Sequence, residues 1–213
     1  MTEKETFALQ IPDGVFKVDP GIPLGDMLIQ IQRQFPPFNF YFNKPEGMST
    51  NDFLMLNKPV PFKYYFEYGQ IKRWFSSVIS QAQADYKAGN VERAIWAYET
   101  LLEQRYPNYK PYDLLISIYR KQKDFENEQR VLRHSIDFFS KLRESQRKYV
   151  LSLAREYNME WKALEYIEAG KKIWYYGGAF VVYDPVGVMG KWENRYKTSY
   201  NNEKLEILGA PFC

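Results

Sequence analysis

YKAGNVERAIWAYETLL at residues 86–102 and RKQKDFENEQRVLRHSI at 120–136 lie in one register, with Lys87 above Lys121 at a separation of 34 residues. A third stretch, EYNMEWKALEYIEAGKK at 156–172, continues the series with Ala163 beneath Ala94, after one step of 34 and one of 35. A fixed period of this length predicts stacked supersecondary units, each burying a face that it cannot hide alone.

Apolar spacing predicts two helices in each unit. In the first, a helix over Ile71–Lys87 stops at Ala88-Gly89-Asn90, because Gly89 can take the left-handed geometry that closes a helix. A second helix follows over Val91–Gln104. Its Ala94 permits close approach, and Ile95, Tyr98, Leu101 and Leu102 form its inner stripe. Pro107 ends the unit, since it cannot continue the helix. In the second unit Pro111 opens a helix that runs to Gln122, with Tyr112, Leu115, Ile116 and Tyr119 inward. Asp124 can cap the next helix, whose inward residues are Phe125, Val131, Leu132 and Ile136. The third unit reads as helices over Leu142–Tyr157 and Met159–Tyr175, joined at Asn158, with Ala163 as the small contact.

Outside this core the character changes. Residues 1–68 are dense in Pro, Gly, Asn and Phe, as in DPGIPLG at 19–25, FPPFNFYFNKPEG at 35–47 and NKPVPF at 57–62. Each Pro fixes its own φ and pushes its predecessor toward extended backbone, so long helices are excluded there. One short helix over Leu24–Gln34 is predicted from Leu28, Ile31 and Phe35, and a second turn near Ser49 and Asp52. The zone is too aromatic for a disordered tail and reads as an ordered, irregular arm. Residues 177–213 read as an irregular extension after a stop at Gly177-Gly178, with a short strand in AFVVY at 179–183 and another short segment in LEIL at 205–208.

The units resemble tetratricopeptide repeats over about 100 of the 213 residues. The likeness is carried best by 75–107, with Ala82, Gly89, Ala94, Tyr98 and Pro107 at matching places. The second unit departs from the pattern, with Glu128 where a small alanine is usual and Ile116 where helix A is usually small. The resemblance implies a mainly α fold: about three helix pairs over 69–176 in a right-handed superhelical array, flanked by irregular N- and C-terminal extensions. It also implies a concave groove lined by first-helix residues. Those residues here are Gln83, Tyr86 and Lys87, then Lys110, Ser117, Arg120 and Lys121, then Lys148 and Arg155. Lys87, Arg120, Lys121 and Arg155 would share one side of that groove, a basic strip suited to an acidic peptide or a terminal carboxylate. A solvated charged face is the plainer account of the same residues.

Charge and composition narrow the rest. The net charge is +3, with the surplus over 71–176, too modest for the dense basic patch of a nucleic-acid binder. The single cysteine, Cys213, excludes an internal disulfide or a cysteine-based zinc site. The opening MTEKETFALQIPDG lacks the apolar run of a signal peptide, and no stretch reaches membrane-spanning length, so a cytoplasmic setting is expected. The sole histidine, His134, lies beside Arg130 and Arg133 without a local nucleophile, GIPLGD at 21–26 lacks a phosphate-loop lysine, and Glu165 and Glu168 sit one turn apart as on any solvated helix. The expectation is a non-catalytic scaffold without cofactor or metal that binds a protein or acidic peptide. A structural subunit of a larger assembly, self-associating through its aromatic arms, is the alternative.

Overall fold

The computed structural model describes residues 22–33, 47–49, 52, 65–156, 158–169, 174–175, 180–181 and 186–207. The helices are α1 (Leu24–Arg33), α2 (Tyr65–Lys87), α3 (Val91–Glu103), α4 (Tyr109–Gln122), α5 (Phe125–Glu156), α6 (Glu160–Glu168) and α7 (Val186–Ile207). Two short strands, β1 (Trp174–Tyr175) and β2 (Phe180–Val181), pair antiparallel between α6 and α7. The protein is mainly helical, as its periodicity predicts. No described helix is long and apolar enough to cross a membrane.

The chain falls into two compact units, one holding α1, α2 and α3, the other α4 to α7 and the β-ribbon. In the first, Tyr68, Ile71, Phe75, Val78 and Ala82 recur at helical spacing along α2 and are all buried. They meet Ala94, Ala97, Tyr98, Leu101 and Leu102 of α3. Ala82 and Ala94 have no exposed surface, which fits their reading as the small residues of a close crossing. Burial holds the Tyr98 phenol above its ordinary pKa, with a smaller push from Tyr86. α1 forms where the sequence predicts it and adds Leu24, Met27, Leu28 and Ile31 to the same core. Its first turn abuts the end of α3. The Gly25 amide donates to the Gln104 carbonyl at 2.8 Å, and the Arg105 guanidinium reaches Asp26 at 3.0 Å. A Cβ on Gly25 would stand 1.9 Å from the Arg105 carbonyl oxygen, so glycine is required there.

Four helices close in the same way. After α2 the Asn90 amide donates to the Asp85 carbonyl and the Gly89 amide to Tyr86, a Schellman closure with Gly89 at φ 84°. The pattern repeats at Arg105 after α3, Lys123 after α4 and Asn158 after α5, all with positive φ. Gly89, Lys123 and Asn158 are spaced like the sequence repeat itself, so the period is written in the backbone as well as in the side chains.

In the second unit, Asn108 caps α4 by accepting from the Lys110 amide at 3.0 Å, and Asp124 caps α5 by accepting from Asn127 at 3.1 Å. Pro111, Tyr112, Leu115, Ile116, Ile118 and Tyr119 of α4 are buried. They face α5, where Tyr112 lies edge-on to Phe139 at 5.0 Å. α6 packs back on α5 through Ala163 and Ile167. The Ser49 hydroxyl accepts from the Asp52 amide, closing the turn expected there. Most of the aromatic zone 1–68, and with it the expected packing of that arm, lies outside the described residues.

Three sequence expectations are corrected. The second helix of unit two and the first of unit three are not separate: α5 runs unbroken through 32 residues. Residues 137–141, Asp-Phe-Phe-Ser-Lys, contain neither Gly nor Pro. Phe139 and Leu142 carry the buried stripe of Val131, Leu132 and Ser135 onward to Gln146, Val150 and Leu153. The last hairpin helix ends at Glu168, well before Tyr175, and Trp174–Tyr175 instead pairs with Phe180–Val181. The extension 177–213 is not irregular throughout, because α7 occupies Val186–Ile207. Its Trp192, 1% exposed, packs on Phe139 at 5.5 Å, and its Nε1 donates to Asp113 Oδ1 at 3.1 Å.

Candidate functional site

An amphipathic helix that buries one stripe presents its opposite stripe to solvent, and on α4 the two separate cleanly. The buried positions leave Lys110, Asp113, Leu114, Arg120 and Lys121 exposed, with Ser117 half-buried between them. Lys110, Leu114, Ser117 and Lys121 follow one another at steps of four, three and four residues, a single line along the helix. Leu114 is 38% exposed in the middle of that line. The structure thus joins four of the sequence-predicted residues, Lys110, Ser117, Arg120 and Lys121, on one surface. Arg120 and Lys121 lie in the last turn, where the helix dipole favours cations.

The remaining candidates stand differently. Gln83, Tyr86 and Lys87 occupy the last turns of α2 in the first unit, Gln83 and Lys87 exposed and Tyr86 half-buried. Lys148 and Arg155 lie on α5 with carboxylates beside them. Lys148 Nζ stands 3.3 Å from Glu144, one turn away on the same helix. Arg155 grips Glu160 at the start of α6, with Nε donating to Oε2 at 3.0 Å and Nη2 to Oε1. That hydrogen-bonded pairing raises the arginine pKa further and holds Glu160 below the usual carboxylate range. Arg155 therefore clasps the α5–α6 turn, and less of its charge is left for a ligand. Lys110 and Arg120, in contrast, enter no ion pair among the described residues.

Other surface features are mixed in sign. A shallow cleft of about 490 Å³ between α5 and α7 is lined by Arg133, Ile136, Asp137, Ser140, Glu193 and Tyr196. Arg133 lies over the Tyr196 ring and donates to its hydroxyl at 3.0 Å. His134 is half-buried and stacks on Phe138. Among the described residues no group of three His, Cys, Asp or Glu side chains is placed to hold a metal ion.

No family model, no curated protein and no solved structure matches this chain.

The sequence places Leu114 at a groove position without giving it a role, and Trp161 draws no notice in it. Leu114 adjoins the inward Leu115, and only its roughly 100° offset around the helix sends it outward. Trp161 at the start of α6 is 68% exposed, and together with Leu114 it makes up the exposed large hydrophobics among the described residues. A helical wheel through Ala163 and Ile167 as the inner line would have turned Trp161 outward.

Proposed function

We propose that the chain is a non-catalytic scaffold of tetratricopeptide-like helical hairpins that binds an acidic segment of a protein along the outer face of α4. The single observation behind this reading is an exposed leucine, Leu114, set in line between Lys110 and Lys121 with Arg120 beside them. Cations that flank an apolar side chain suit a ligand that offers carboxylates around an apolar residue. Charge then gives encounter and register, while the buried apolar contact gives affinity. A cytoplasmic setting accords with this role.

The test is fluorescence anisotropy of a labelled acidic peptide carrying one leucine. Lys110→Glu with Lys121→Glu is expected to weaken binding on the order of tenfold or more. Leu114→Ala is expected to weaken it by roughly fivefold, near the value of a partly buried aliphatic contact. Unchanged affinity in both variants would falsify α4 as the binding face.

A further inference from the structure

Leu114 and Trp161, the exposed large hydrophobics among the described residues, stand in opposite electrostatic settings. Leu114 lies between lysines on α4. Trp161 heads a line on α6 whose next members, Glu165 and Glu168, are exposed carboxylates at steps of four and three. α4 and α6 both pack on α5, α4 against its first half and α6 folded back from its end. α5 is about 48 Å long at 1.5 Å per residue, so the two lines lie toward different ends of one rod.

We propose that these two faces bind each other between copies of this chain, head to tail, with the acidic α6 face of one copy as the ligand of the α4 face of the next. This rests on the reading of α4 as a binding face and names its partner. The spacings match. Lys110 stands four residues from Leu114 and Glu165 four from Trp161, while Lys121 stands seven residues from Leu114 and Glu168 seven from Trp161. With Leu114 against the indole, antiparallel helices bring Lys110 to Glu165, and parallel helices bring Lys121 to Glu168. Trp is, with Tyr and Arg, enriched among residues that carry interface energy, and carboxylates beside it select a basic partner. The two faces differ, so the contact is heterologous and leaves a free α4 face at one end and a free α6 face at the other. Two short helix faces bury less than a stable dimer needs, which places the association in the weak, roughly micromolar-or-weaker class.

The experiment is sedimentation velocity of the full chain over a range of concentrations at low salt, with binding of the labelled acidic peptide measured in parallel. The wild-type sedimentation coefficient is expected to rise with concentration, and the rise to shrink in high salt. Trp161→Ala, the pair Lys110→Glu/Lys121→Glu and the pair Glu165→Lys/Glu168→Lys are each expected to sediment as monomers. An equimolar mixture of the two charge-reversed proteins is expected to associate again, because each then meets its opposite. That rescue also shows both variants to be folded. A wild type that stays monomeric throughout overturns the proposal, as does association that survives Trp161→Ala and Glu165→Lys/Glu168→Lys unchanged. Should the monomer still bind the acidic peptide through Lys110 and Lys121, the self-association falls and the α4 reading stands. Failure of both assays removes both.

Discussion

Lys123 does with a side chain what Gly89 does without one. Both close a helix in the left-handed region, at φ 59° and 84°. For a residue with a Cβ that region costs about 1–2 kcal/mol, and glycine is spared the cost. Lys123→Gly is therefore expected to stabilise the protein by about 1 kcal/mol, and Gly89→Ala to destabilise it by about the same, both read from urea midpoints. A Lys123→Gly protein less stable than wild type would mean that the lysine makes contacts worth more than its strain. Tyr98 supplies a second residue-scale outcome. Its phenol is held above its ordinary pKa by burial, so the folded state favours the protonated ring. The stability this confers is complete below the unfolded phenol pKa of roughly 10 and is lost as pH rises through the raised folded value. Stability should fall more steeply in the alkaline range for wild type than for Tyr98→Phe. Equal slopes in the two proteins would remove Tyr98 as the cause.

At the scale of elements, α5 decides how the repeat is realised. Its continuity means that Ser140, in the stretch expected to be a turn, is helix interior. Ser140→Pro would delete the amide bond to Ile136 and clash with the preceding turn, a loss of about 3 kcal/mol or more. Near-native stability in that variant would show that the chain bends at 137–141 after all. The hairpin turns were legible in the sequence because Gly89, Asp124 and Asn158 are residue types with strong local preferences. The break near 137–141 was inferred only from counting units, with no stop residue to support it, and the buried line through Phe139 and Leu142 overrides the count. α7 was hidden for another reason. Val188, Met189, Trp192 and Tyr196 do recur at helical spacing, but glycines and polar residues dilute the stripe, and among the described side chains of α7 only Trp192 is fully buried. On the candidate site, the cations of α4 were legible from the repeat register. The pairings that occupy Lys148 and Arg155 were not, since Glu144 and Glu160 acquire meaning only once the helix faces are known.

For the molecule as a whole, the division into two compact units has an energetic consequence that single residues can probe. Gly25 seals α1 against the end of α3, and any Cβ there collides with backbone that has no free rotor to yield. Gly25→Ala must push α1 away from Gln104 and Arg105, giving up the amide bond at 2.8 Å and part of the burial of Leu24, Met27 and Leu28. A loss of about 3 kcal/mol is expected, at the upper end for a steric insertion into a packed site. If each unit opens as its own cooperative block, that loss belongs to the first unit. Hydrogen exchange should then quicken in the amides of α1, α2 and α3 by roughly two orders of magnitude, at 1.4 kcal/mol per tenfold. The amides of α5 around Val131, Leu132 and Phe139 should keep their wild-type rates. Trp192→Ala should produce the mirror image, faster exchange in α5 and α7 with α2 and α3 unchanged. Equal acceleration of every helix by either substitution would mean that the chain unfolds as one block.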